Sequence, residues 1–248
     1  MFLALSLYAA FVIAAAPASL LAWVLPIASN EAATLEHTRG SLWAGEAAAL
    51  VLTDQSGIRH RFEHFRWNWM GGRLMSGEIA VRLRIDDPTL RGGTDIVPTL
   101  SALYLRRTKF ELPASSLASY RPELSPAGLL GSLTIESPEF AFAWNGGLQG
   151  AATVLWRDAA TSHSSVRPLG QFRIRIAGVE TGTLLRVDTV GGALYVEGEG
   201  AWSRARGLSF RGTARAAPQE NLGLAGLLGM LGPPRGPAVH SLSLPRPY

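Results

Sequence analysis

Glu78-Ile79-Ala80-Val81-Arg82-Leu83-Arg84-Ile85 decides the fold class, because apolar and polar residues alternate along it almost one by one. In an extended chain Ile79, Val81, Leu83 and Ile85 share one face, while Glu78, Ala80, Arg82 and Arg84 share the other. A strict period of two belongs to a sheet with one dry face and one wet face, the usual condition of antiparallel strands. Gln171 to Ile176 repeats the pattern, with Phe172, Ile174 and Ile176 opposed to Gln171, Arg173 and Arg175. Leu194 and Val196 against Tyr195, Glu197 and Glu199 give a third case.

Around these segments, weaker strand signals run over Arg59–Trp67, Thr99–Leu105, Ser132–Glu136, Phe140–Trp144, Ala151–Trp156, Leu184–Asp188 and Leu208–Ala216. Asn145-Gly146-Gly147 between two apolar runs is a hairpin signal, and Gly71-Gly72 and Gly191-Gly192 mark further turns. A short helix is expected from Pro113 to Tyr120, and Asn221–Leu231 has helical length. The glycines of that second stretch cost up to about 1 kcal/mol each relative to Ala, so it needs packing against the sheet or a partner. Gly232–Pro245, with Pro at 233, 234, 237 and 245, reads as an extended tail. The fold expected is mainly β: a long curved antiparallel sheet, or a sandwich-like pair of sheets, with one or two short helices. Its one-sided strands require a covering layer, either a second sheet or a sheet curled on itself.

Charge is distributed unevenly. Met1 to Asn30 contains no Asp, Glu, Lys or Arg. A helix over Phe2–Leu25 would be about 36 Å long, enough for a hydrocarbon core of about 30 Å. Ala16-Pro17-Ala18 offers a signal-peptidase-like alternative. However, Leu20, Leu21, Trp23, Val24 and Leu25 carry the apolar run past that point, and no basic region precedes it. A single retained transmembrane helix is therefore expected, with Phe2, Leu20, Trp23 and Leu25 as anchor residues, Pro17 as a tolerated kink and Trp23 at the interface. The organisation expected is an anchor over 1–27, a β-rich domain over 28–232 and a tail over 233–248.

Composition removes several chemistries. Among 248 residues there is no Cys, which excludes disulfides, thiolate metal sites and a cysteine nucleophile. Lys109 is the single Lys, between Thr108 and Phe110, so no phosphate loop of the Walker type exists. No G-x-S-x-G elbow surrounds any Ser, and Gly191–Gly200 lies in a strand pattern rather than before a helix, so it forms no dinucleotide loop. His60 and His64 on one strand would stand roughly 13 Å apart at about 3.3 Å per residue, too far to share an ion. His37, His163 and His240 stand alone as surface imidazoles. The net charge of +4 rests on arginines interleaved with glutamates, which suits solvated strand faces rather than nucleic-acid binding. Trp43, Trp67, Trp69, Trp144, Trp156 and Trp202 lie in or beside strands, the usual setting for core packing. A lipid- or peptide-binding concavity is the functional alternative for them. No catalytic, cofactor or metal site is expected.

Three Gly-x-Leu steps, at Gly40, Gly131 and Gly192, echo one another weakly, and common turn and strand usage explains them without duplication. The order of the short motifs is more specific. Gly40-Ser41-Leu42-Trp43-Ala44-Gly45 follows the anchor, then Pro168-Leu169-Gly170 and Gly192-x-Leu194, with Gly198, Gly200 and Trp202 beyond. Phe210-x-Gly212, Leu227-Leu228 and Leu231-Gly232 complete the series. From about Gly40 to Gly232 the chain resembles the type II secretion system protein N family. That resemblance implies a bitopic inner-membrane protein with a periplasmic β-rich domain. It would serve as an accessory part of the machine that exports folded proteins across the outer membrane, contacting other inner-membrane subunits. The family offers no catalytic residues to transfer, so the motif positions are expected to be structural. The lack of basic residues before the anchor departs from the family's pattern. The family is distantly similar to AsmA-like envelope proteins, from which the alternative of an apolar β-groove that binds or transfers lipid follows.

Overall fold

The computed structural model describes Phe11 and residues 14–54, 57–74, 77–144, 147–179, 182–203, 205–236 and 239–244. The chain divides into two compact units, Met1–Pro98 and Thr99–Tyr248. Both are built as an antiparallel meander in which consecutive strands pair, except that in the second the last but one strand lies outermost.

The first unit contains β1 (Ala33–Gly40), β2 (Ala44–Thr53), β3 (Arg59–Trp69), β4 (Val81–Asp87) and β5 (Leu90–Pro98), adjacent in that order. Leu35 stands opposite Leu50, Leu50 opposite Phe62, Phe65 opposite Ile85 and Trp67 opposite Leu83, so the apolar alternation is stacked across strands. A helix, Ala18–Ala28, lies on this face. Ala18, Leu21, Ala22 and Leu25, spaced to share one side of a helix, pack with Leu35, Ala47, Leu50, Phe65 and Trp67.

The second unit contains β6 (Ala102–Pro113), β7 (Leu129–Ala143), β8 (Leu148–Thr161), β9 (Gly170–Val179), β10 (Gly182–Gly192), β11 (Leu194–Ser203) and β12 (Gly207–Ala216), followed by β13 (Pro234–Gly236) and β14 (Val239–Leu244). The spatial order is sequential to β12, then β14 and β13. Phe110, Ile135, Val154, Ile174, Val187, Gly198, Gly212 and Leu242 form one cross-strand row. Lys109, Glu136, Thr153, Arg175, Arg186, Glu199, Arg211 and Ser243 form the adjacent row on the opposite face. The helix Asn221–Leu231 covers one end of the apolar face, burying Leu224 and Leu228 with Phe172, Leu194, Ala214 and Ala216. Its glycines are tolerated because that packing holds it, as the sequence requires.

The expectation of a second sheet as the covering layer is corrected. Within each unit the described strands form a single sheet, and a helix lies on part of its dry face. The tail over 233–248 is corrected as well: Val239–Leu244 pairs with Phe210–Arg215 as a sheet strand. Ser132–Glu136 and Phe140–Ala143 belong to one strand, β7, irregular where Pro138 interrupts its pairing with β8, and Trp144 lies in the turn beyond it. Asn145 and Gly146 lie outside the described residues, but Ala143 N–H donates to Gly147 O at 2.8 Å, and β7 pairs antiparallel with β8. The short helical region after Pro113 is present as Ala114–Ser116 and Leu117–Tyr120.

At the N-terminus Phe2 lies outside the described residues. Phe11 and Ala14 are helical, and the chain leaves that helix at Ala15–Pro17 before starting again at Ala18. Pro17 is more than a kink. It takes extended angles and bridges to Ser41, while Ala16 O accepts Leu42 N–H at 2.8 Å. Among the described residues no helix is long and apolar enough to cross a membrane.

Candidate interaction surfaces

The first motif, Gly40-Ser41-Leu42-Trp43-Ala44-Gly45, is the β1–β2 turn. Gly40 has φ +93°, a conformation that disfavours a side chain. Ser41 Oγ accepts Ala44 N–H at 3.1 Å, closing the turn. Gly45 has to be glycine for a second reason: a Cβ there would stand 2.5 Å from Trp67 Cζ2 and 2.7 Å from Arg39 O. The Trp67 indole lies across that gap and donates from Nε1 to Leu42 O at 3.0 Å. Trp43 meets Trp69 edge to face at 5.2 Å between ring centroids. The turn thus fixes two aromatic layers and grips the entry to the N-terminal helix through Ala16 and Pro17.

The opposite side of that helix is different in kind. Leu20, Trp23, Val24 and Ile27 form a second apolar stripe, 43%, 68%, 45% and 66% exposed. Of the expected anchor residues, Leu20 and Trp23 point outward and Leu25 packs on the sheet. A helix that is apolar all round is normally covered all round.

The later motifs converge in the second unit. Leu169 N–H donates to Ala159 O at 2.7 Å and Leu194 N–H to Leu169 O at 2.8 Å, threading Pro168-Leu169-Gly170 between strands. Gly170 and Gly192 pair so closely that neither could carry a Cβ. Leu169 and Leu194 are core residues beside Leu224 and Leu228. Gly198 and Gly200 of β11 and Gly212 of β12 form a shallow floor, and the ring of Phe210 lies over all three. Trp202 is 43% exposed at the far end of β11. The glycine echo has a physical basis: Gly40, Gly131 and Gly192 all take positive φ, at +93°, +101° and +134°.

Charge is organised as ladders. In the second unit Arg106 pairs with Glu139 at 2.6 Å, Lys109 with Glu136 at 3.0 Å and Arg175 with Asp188 at 2.6 Å. Arg186 reaches Asp188 at 3.3 Å and Glu199 at 3.4 Å. A groove of ≈ 1070 Å³ crosses β10 to β14, lined by Arg186, Asp188, Glu197, Glu199, Arg211 and Arg235 among others. Such a lining does not suit acyl chains.

In the first unit Asp87 is buried and accepts from Glu63 N–H at 2.7 Å, Thr89 N–H at 2.7 Å and Thr89 Oγ1 at 2.6 Å. Burial pushes its carboxyl up, but the bonds from Thr89 and Glu63 outweigh burial and hold it below the usual carboxylate range. Arg82 donates to the buried Asp95 at 2.9 Å, and that bond raises the guanidinium above its ordinary value.

No group of three or more His, Asp or Glu able to hold a metal occurs among the described residues. His60 sits 3.7 Å from Asp54, whereas His64 is exposed with φ +51°. Imidazole nitrogens of His163 and His240 meet the backbone carbonyls of Pro126 and Gly232 at 2.6 and 2.7 Å. Sequence reasoning missed Asp87 and Asp95, since a buried carboxylate looks like any other until its partners are placed.

No solved structure matches the chain. A curated relative, the type II secretion system protein N of Klebsiella pneumoniae, is 27% identical over 219 residues, covering 86% of this chain and 82% of its own. The family model for type II secretion system (T2SS), protein N, matches residues 31–243, nearly the whole β region, and the chain belongs to that family.

Proposed function

We propose that this chain is an accessory inner-membrane component of the type II secretion apparatus, held at the membrane by its N-terminal segment, with the β-rich units in the periplasm. The observation that carries the reading is the helix Ala18–Ala28, which packs one apolar side on the sheet and leaves Leu20, Trp23, Val24 and Ile27 outside. That stripe continues the charge-free run from Met1 to Asn30, so a bilayer is its natural cover. Family membership supplies the system in which the protein works. The chain acts through binding rather than bond-making chemistry, with other inner-membrane subunits as its partners.

The lipid-handling alternative draws its support from the apolar cross-strand row of the second unit. Against it, the groove lies on the opposite, polar face and is lined by Arg186, Glu199, Arg211 and Arg235, and Leu224 and Leu228 fill one end of the apolar face. The interaction role is therefore favoured. Deleting the gene in a host with an intact secretion operon should reduce exoprotein export and alter the composition of the inner-membrane complex. Unchanged export together with unchanged composition would overturn the role. N-terminal sequencing of the protein from the membrane fraction tests the anchor, and a mature chain starting at Ser19, after the Ala16-Pro17-Ala18 site, would overturn it.

A further inference from the structure

On the polar face of the first unit, strand register places Arg39 opposite Glu46, Glu46 opposite Arg66 and Arg66 opposite Arg84. All four side chains are exposed. Three arginines against one glutamate leave this row with an excess of two positive charges. Like charges directly opposite on adjacent strands repel, and the Cα atoms of such pairs are only about 4.5–5.5 Å apart.

The second unit shows how this protein otherwise resolves that conflict. Arg175 also stands directly opposite an arginine, Arg186. There Asp188 bridges the two, 2.6 Å from Arg175 and 3.3 Å from Arg186. Arg66 and Arg84 have no such bridge: neither takes part in an ion pair among the described residues, nor does Arg39 or Glu46. The carboxylates nearby are already engaged. Glu36 and Glu63 hold Arg61, Asp86 holds Arg91, Asp95 holds Arg82, and Asp87 caps its own turn.

We infer that the row Arg39–Glu46–Arg66–Arg84 is a docking surface for an acidic segment of a partner protein, whose carboxylates occupy between Arg66 and Arg84 the position that Asp188 occupies between Arg175 and Arg186. Guanidinium forks favour carboxylates in bidentate geometry, and charge complementarity selects an acidic partner over a basic or apolar one. The inference deepens the proposed role by giving the chemistry of a partner surface. Because binding is measured on the isolated full chain, its failure and a failure of the secretion role are separately visible.

The test is binding of a fluorescein-labelled hexaglutamate peptide to the full chain in non-ionic detergent, followed by anisotropy. The wild type should bind at low ionic strength and lose affinity as salt rises. The double variant Arg66→Gln/Arg84→Gln should bind at least tenfold more weakly, while Arg175→Gln leaves binding unchanged. Equal binding by the wild type and the double variant overturns the inference. So does binding to phosphatidylglycerol vesicles without binding to the peptide, which would make the row a lipid-headgroup surface. Thermal unfolding gives a second readout that does not depend on the ligand. Arg66→Gln should raise Tm by removing an unbridged repulsion, and Arg175→Gln should lower it by breaking a bridged pair. A fall in Tm for Arg66→Gln also overturns the inference.

Discussion

The ring of Phe210 on β12 lies across Gly198 of β11, so that a Cβ added at Gly198 would overlap the ring as well as approach Arg211 O at 2.7 Å and Gly212 Cα at 2.9 Å. The aromatic side chain does for the glycine what its own side chain cannot, covering the sheet surface there. Gly198→Ala should destabilise the second unit by about 1–3 kcal/mol through overpacking, read as a lower urea midpoint. Adding Phe210→Ala should recover part of that loss, since the ring is one of the obstacles and backbone atoms are the others.

Leu224 is fully buried and Leu222, two residues earlier on the same helix, is 96% exposed. Leu224→Ala should therefore cost about 2–5 kcal/mol, while Leu222→Ala falls within about 0.5 kcal/mol of wild type. Urea titration of both variants checks the contrast. An equal effect at the two positions would mean that the helix does not dock as described.

Asp87 gives a pH dependence with a definite sign. Its folded carboxyl lies below the usual carboxylate range, so it binds its proton less readily than in the unfolded chain. The stabilisation it contributes is fully present above the unfolded value of about 3.9 and is lost as pH falls through the lower folded value. Asp87→Ala should cost about 1–3 kcal/mol at neutral pH by leaving the Glu63 and Thr89 N–H groups unpaired. It should also flatten the acid limb of a stability-versus-pH curve, measured by urea denaturation from pH 7 downward.

Trp67 Nε1 donates to Leu42 O, and the next contact outward is Leu42 N–H with Ala16 O. Trp67→Phe keeps the apolar body and deletes the donor. The expected loss is about 1–3 kcal/mol, accompanied by faster hydrogen exchange at the Leu42 amide as the turn loosens its hold on the N-terminal segment. Unaltered exchange there would show that the indole bond does not secure the turn.

Strand content was readable wherever one face is wet and the other dry, as in Val81–Asp87 and Gly170–Val179, because a period of two needs no knowledge of neighbours. Ala44–Thr53 was not readable: Ala47, Ala48 and Ala49 carry no alternation, and they suit a strand only where neighbours press close. Leu90–Pro98 was not readable either, because Gly92 and Gly93 interrupt its alternation, yet Gly93 is where Leu83 O comes too close for any Cβ. The family motifs were visible as an ordered set of glycines, but not the reason for each, since Trp67 over Gly45 and Phe210 over Gly198 join residues 22 and 12 positions apart.

What the sequence determined alone is an uncharged N-terminal run, an alternating antiparallel sheet and the absence of thiol and phosphate-loop chemistry, all of which follow from local pattern and composition. Tertiary structure decided the rest. It broke the expected long helix at Pro17 by pairing that residue with Ser41, and it laid a helix rather than a second sheet on part of each dry face. It also bridged one opposed arginine pair with Asp188 while giving Arg66 and Arg84 no counter-ion among the described residues. Those outcomes depend on register between strands, and register is a property of the folded sheet rather than of any one segment.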